Sequence, residues 1–196
     1  YIDIILVITD KLKNEAIKHL PIESHKIHKL TYGIEMPSSD KLINKTTFFK
    51  KHDMNTNIFS IGIFSRIEEQ KGQHLVLSSV KKSKHEIQLF IIGHAIDDEY
   101  KEKLEIKAKE YKLSNKLKFI NFVKSPMSYM PSFDLIILPT YEETFGLIVA
   151  EAMLMKVPVI GSNAGGVPEI ISNEKNGLLF ETKNDDDLLE KINLIV

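Results

Sequence analysis

From Ile58 onward the chain alternates short apolar runs with longer amphipathic stretches, and this alternation limits the folds open to it more than any other feature. The apolar runs Ile58–Phe64, Ile87–Gly93, Leu117–Phe122, Asp134–Leu138, Val157–Gly161 and Gly177–Phe180 predict strands. Between and after them, Gln73–Lys82, Asp98–Lys112, Phe145–Lys156, Val167–Ser172 and Asp185–Leu194 predict helices, with a tighter turn at Met127–Met130. Strands that are apolar throughout, separated by helices, belong to parallel sheets covered on both faces. Right-handed crossovers then give an α/β fold with a doubly wound, six-stranded, Rossmann-like parallel sheet, whose ligands sit beyond the carboxyl ends of the strands.

The first third of the chain reads differently. Tyr1–Ile8 predicts a buried strand, Asp10 a helix cap, Lys11–His19 a helix stopped by Pro21, and Lys26–Thr31 a second strand. One such unit is too small to bury its own faces. The polar stretch 35–57 reads as a linker, so the expected organisation is a terminal fragment of one domain over 1–34, a hinge over 35–57, and a second domain over 58–196.

Composition narrows the function. A net charge of −1 offers no bulk attraction for nucleic acid. With no Cys there are no disulfides, thiolate nucleophiles or zinc–thiolate sites, which fits a cytoplasmic location. Ile2–Ile8 is apolar but contains Asp3 and lacks the basic leader of a signal peptide. There is no Gly-x-Gly-x-x-Gly fingerprint and no Gly-Lys-Ser/Thr phosphate loop. His25 and His28 lack metal-site spacing, and Asp97-Asp98 and Asp185–Asp187 read as helix caps and first-turn acids.

The chemistry concentrates at two strand–helix junctions. In the eleven-residue run Thr144–Leu154 the only charge is Glu151. The run is too short and too polar at its ends to span a membrane, so Glu151 is expected on a buried helix. A buried carboxylate is costly unless paired, which leaves a bond to a nearby Lys, Arg or backbone group and a ligand contact as alternatives. Glu143 stands eight positions earlier at the mouth of the same helix, after a strand that ends in Pro139, and Gly146 suits a close approach of backbone to ligand. At the other junction Arg66 follows a strand and Lys71-Gly72 opens a helix. Two cations beside a helix N-terminus suit a diphosphate, while two solvated surface charges are the bland alternative.

These residues together resemble a known family. Glu143, seven residues and Glu151, with Phe145-Gly146-Leu147 between them and Ala152-Met153 after, are similar to the signature of family-4 retaining glycosyltransferases of the GT-B fold. Arg66 and Lys71 match that family's Gly-Arg-Leu-x-x-x-Lys-Gly segment. Gly165-Gly166-Val167-Pro168-Glu169 and Asn176–Phe180 match two further landmarks in the same order.

The resemblance implies that 58–196 binds a nucleotide-diphosphate sugar and that 1–34 ends an acceptor-binding domain. A glycan, lipid or other acceptor, and any peripheral membrane association, would belong to that domain. It implies that Arg66 and Lys71 stabilise the departing diphosphate, with no metal and no cofactor, and that Glu143 contacts the donor sugar. Backbone N–H groups of Phe145, Gly146 and Leu147 would reach sugar hydroxyls or phosphate, and Glu151 would take the ribose diol. The nucleobase would lie near Gly93-His94 and Asn121-Phe122-Val123. Ser65 and Asn121 replace glycines of the family pattern, and Ser65 is expected to narrow the approach to the phosphates. Gly165-Gly166 is either a turn or part of the pocket lining. A non-catalytic nucleotide-sugar-binding module and a sugar-nucleotide epimerase of the same architecture remain alternatives.

Overall fold

The computed structural model describes residues 2–196. Six parallel strands form the main sheet: β3 (Phe59–Phe64), β4 (Ile87–Ile92), β5 (Leu117–Ile120), β6 (Leu135–Leu138), β7 (Val159–Ser162) and β8 (Leu178–Phe180), in the order β5-β4-β3-β6-β7-β8. A separate parallel pair, β1 (Ile5–Val7) and β2 (Ile27–Lys29), lies beside it. The expected doubly wound α/β sheet is present.

The central strands have no polar face because helices cover both sides. In β4 every residue is buried, and in register Ile61 pairs with Leu89 and Gly62 with Phe90. Alternate residues Ile61, Ile63, Leu89 and Ile91 join one core with α3 (Gln73–Lys82), α4 (Asp98–Glu110) and α8 (Asp185–Asn193). Phe64, Phe90, Ile92, Ile136 and Leu138 face the second core. That core also takes side chains from α2 (Lys45–Lys51), α5 (Pro126–Tyr129), α6 (Leu147–Leu154) and α7 (Val167–Ile170). The period-two alternation of a strand thus feeds two layers of helices.

The stretch 35–57 carries structure that its polarity conceals. Asn44 caps α2 by accepting from the Thr47 amide, and Phe48 and Phe49 of this helix are buried in the second core. Lys45 and the Ser60 backbone and hydroxyl all converge on Asp134, which ties α2 to β3 and to the start of β6.

The first strand differs from its expectation. Of Tyr1–Ile8, Tyr1 lies outside the described residues, only Ile5–Val7 is strand, and Ile2, Ile4 and Leu6 are exposed. The cap of α1 (Asp10–His19) is Thr9 rather than Asp10: Thr9 is extended and its hydroxyl accepts from the Leu12 amide. α6 starts at Leu147 instead of Phe145, because Gly146 is left-handed at φ 92° and breaks the helical run. The acidic caps are as expected in kind: Asp97 caps α4, and Asp185–Asp187 form the first turn of α8 behind Asn184.

Candidate donor site

The strand order reverses between β3 and β6. From β3 the chain proceeds outward through β4 and β5, then returns to β6 and proceeds the other way. At such a switch point the loops leaving the two adjacent carboxyl ends diverge and leave a crevice. The loop after β3 carries Arg66 and Lys71, and the loop after β6 carries Glu143. The predicted residues are therefore placed together by topology.

The two loops are joined by backbone. The Tyr141 amide donates to the Gln70 carbonyl at 2.8 Å, and the Thr140 hydroxyl lies 3.3 Å from the same carbonyl. Across this seam Lys71 Nζ is 3.2 Å from Glu143 Oε2, with both side chains partly shielded. Arg66 is more exposed and forms a 2.8 Å ion pair with Glu68, without the geometry of a hydrogen bond. Gln73, fully buried at the start of α3, donates to Ser65 Oγ at 2.9 Å and to the Arg66 carbonyl at 2.7 Å. The Ser65 hydroxyl is thus engaged by Gln73 beneath the loop.

Three adjoining hollows run along the sheet edge. The first, about 270 Å³, is mainly apolar, lined by Phe64, Ile92, Gly93, Phe122, Val123 and Ile148, with Arg66 and His94 at its border. The second, about 200 Å³, shares Ser65 and Ile148 with the first and adds Lys71, Glu143, Gly146 and Leu147. The third, an open cleft of about 900 Å³, shares Lys71 and Glu143 with the second and reaches Arg66, Gly165 and the first turns of α1. A mainly apolar recess bordered by Arg66 thus leads past the Lys71–Glu143 pair into an open polar cleft. Such a gradient can receive a molecule with a flat apolar end, an anionic middle and a polyhydroxyl tail.

Gly165 shows how tightly the third hollow is built. Its φ is 57°, and a Cβ there would stand 1.6 Å from the Glu143 carbonyl oxygen. The Gly166 amide donates to that same carbonyl at 2.9 Å. The Gly165-Gly166 pair is both a turn and part of the cleft, and no larger residue fits beneath Glu143.

Two predicted residues lie elsewhere. Phe145 packs its ring edge-on against Tyr32 at 5.3 Å and lines none of the three hollows. Glu151 is on α6, one turn beyond Ile148, which lines the first two hollows. Its Oε2 is buried and meets no hydrogen-bond partner among the described residues, and burial pushes its carboxyl above the usual glutamate range. Among the described residues no Lys or Arg pairs with Glu151.

Sequence reasoning missed a chain of aromatic and imidazole groups behind the seam. Tyr141 OH lies 2.7 Å from His74 Nε2, and His74 Nδ1 lies 2.8 Å from Tyr100 OH. Burial pushes the His74 imidazole below its usual range and the Tyr100 phenol above its own. No periodicity or motif links these three positions. Gln73 was missed too, because a polar residue opening a helix gives no sign that tertiary packing buries it.

With this geometry in place, relatives decide the family. The model for glycosyl transferases group 1 matches residues 44–196. The chain belongs to this family. Among curated glycosyltransferases, it is 26% identical over 201 residues to the capsular polysaccharide biosynthesis enzyme CapM of Staphylococcus aureus. That alignment covers 98% of this chain and 52% of CapM. The O-antigen biosynthesis glycosyltransferase WclY of Escherichia coli is 30% identical over 188 residues, covering 95% of this chain and 50% of WclY. The chain thus spans about half the length of these relatives.

Solved glycosyltransferases share the GT-B-type fold. HepE of Anabaena, in complex with UDP, superimposes with a TM-score of 0.88 at 22% identity, over 98% of this chain and 53% of HepE. A glycosyltransferase from Rickettsia africae gives 0.89 at 22% identity, over 98% and 53% of the two chains. Among the described residues, no helix of this chain is long and apolar enough to cross a membrane.

Proposed function

We propose that this chain supplies the donor site of a retaining family-4 glycosyltransferase and that the trough between β3 and β6 holds a nucleotide-diphosphate sugar. The observation that carries the reading is the succession of hollows from the Gly93–Val123 recess, bordered by Arg66, through the Lys71–Glu143 pair to the open polar cleft. The base occupies the apolar recess. The diphosphate lies against Lys71, Arg66 and the amides around Gly146, and the sugar extends into the cleft beside Glu143. HepE, alike in fold, is described in complex with UDP and with UDP-glucose, which supports a ligand of this class.

Arg66, Lys71 and Glu143 carry the catalytic work in this proposal. As the bond from sugar to diphosphate breaks, negative charge grows on the leaving oxygens. Two preorganised cations stabilise that charge more than they stabilise the bound donor, and so lower the barrier. No metal ion is part of the proposal. Lys71 exchanges its contact with Glu143 for phosphate, which frees Glu143 for the sugar hydroxyls. Glu151, one turn beyond Ile148 at the recess, meets the ribose diol, and its Oε2 has no other partner among the described residues.

The remaining parts of the reading rest on the motif resemblance. Residues 1–34 belong to the acceptor side, 35–57 join it to the donor domain 58–196 with α2 packed on that domain's core, and a glycan or lipid acceptor binds chiefly to the acceptor side in the cytoplasm. The test is a thermal-shift series with UDP, GDP, ADP and their sugars, since only a ligand that prefers the folded state raises the midpoint. Stabilisation by one nucleoside diphosphate series supports the reading; no shift with any of them rejects it.

A further inference from the structure

Glu169 belongs to the short helix α7, yet its carboxylate serves a distant helix. Its Oε2 accepts from the Asp10 amide at 2.8 Å, and its Oε1 accepts from the Lys11 amide at 2.9 Å. Lys29 Nζ lies 2.9 Å from the same Oε2 and 2.6 Å from Asp10 Oδ2. The amides of Asp10 and Lys11 are first-turn donors of α1, which have no partner within the helix. Thr9 takes the Leu12 amide, so Glu169 completes the cap begun by Thr9. A negative charge at this end also complements the helix dipole.

The segment that ends in Glu169 begins beneath Glu143. The Gly166 amide donates to the Glu143 carbonyl, and a Cβ on Gly166 would stand 2.7 Å from Thr9 Cγ2. Residues 165–169 therefore touch the Glu143 loop at one end and α1 at the other. The side of α1 facing them holds Thr9, Lys11, Leu12 and Glu15, which line the open cleft together with Arg66, Lys71 and Glu143.

We infer that Glu169 is a positioning residue: its two-pronged cap docks α1 against the donor sheet and so fixes the width of the cleft beside Glu143. The docking follows from the contacts themselves, and its consequence for a bound sugar rests on the proposed function. Both oxygens are needed. Glutamine keeps one acceptor but turns an amide N–H toward a backbone N–H, and alanine removes both acceptors.

The chain contains no Cys, so a pair of introduced thiols can be labelled without background. Lys18→Cys on α1 and Lys175→Cys beyond α7 are exposed and lie outside the cleft. Spin labels at these two sites report the separation of α1 from the donor domain. Hydrogen exchange reports the Asp10 and Lys11 amides.

The expected result is one narrow distance distribution with Glu169 intact. With Glu169→Ala the distribution broadens, and exchange at the two amides quickens by about fivefold or more, the scale of a lost helix cap. Glu169→Gln should fall between, and exchange in β3, β4 and β6 should not change in either variant. An unchanged distribution with unchanged exchange at Asp10 and Lys11 overturns the inference. So does a loss of protection spread evenly over the sheet, which would make Glu169 a general stabiliser. Failure of wild-type protein to bind any nucleoside diphosphate would reject the proposed function and leave this measurement to decide the docking by itself.

Discussion

Lys71 Nζ stands 3.2 Å from Glu143 Oε2, so the cation expected to meet phosphate and the acid expected to meet sugar hold each other across the seam between β3 and β6. Such a pair keeps two partly shielded charges compensated until a ligand enters. It also links the two ends of the proposed donor site, because binding at one releases the other.

Lys71→Ala and Arg66→Ala should each weaken nucleoside diphosphate binding by about tenfold or more, the value of a lost charged hydrogen bond. Glu143→Gln should bind the same diphosphate at least as tightly as wild type, because Lys71 no longer divides its charge. Calorimetric titration of the three variants checks both statements. Weaker diphosphate binding in Glu143→Gln would show that the pair does not open on binding.

Glu151→Gln should stabilise the ligand-free chain at pH 7 by less than about 1 kcal/mol, since the partnerless oxygen then carries no charge but solvent screens part of the penalty. The sign follows from burial, which raises the carboxyl pKa in the folded state. The penalty is absent below the ordinary glutamate range and grows as pH rises through the raised value. Urea melts at a series of pH values should show the two proteins converging in acid, while nucleotide affinity in the variant falls.

Asp134 should behave in the opposite sense. Burial pushes its carboxyl up, but hydrogen bonds from Ser60 and Lys45 outweigh this and hold it below the usual range. Its contribution is present above the ordinary aspartate pKa and is lost as pH falls through the lowered one. Asp134→Asn should cost about 1 kcal/mol at neutral pH, after allowing for the solvent screening of a partly exposed pair. The gap between the two proteins should close below about pH 4.

Phe49→Ala tests whether α2 is part of the donor domain's core. Phe49 has no exposed surface and packs against Phe90 at 4.8 Å between ring centroids. Its truncation should cost about 3–5 kcal/mol. A melt unchanged within error would mean that this helix is loosely attached.

The sheet was legible because six apolar runs at regular spacing have few other ways to be buried. The Arg66, Lys71 and Glu143 positions were legible too, since each stands at a strand end and the strand order carries them to one edge. Phe48 and Phe49 were not, because two adjacent aromatics among lysines and threonines show no helical period. The link from Glu169 to Asp10 joins residues far apart in sequence, and an acid in a helix's first turn is explained just as well by its own helix. Gly146 was expected to allow close approach, but its left-handed turn also delays α6 by two residues, a conformation the residue type permits without dictating.

Backbone amide shifts during a UDP titration decide whether a nucleoside diphosphate lies across the carboxyl edge of β3 and β6. Saturable shifts are expected at Ser65, Gly93, Lys71 and Gly146, with the C-terminal ends of α3 and α4, at Lys82 and Glu110, unmoved. Shifts confined to those helix ends, or none with UDP, GDP or ADP, would overturn the proposed donor site.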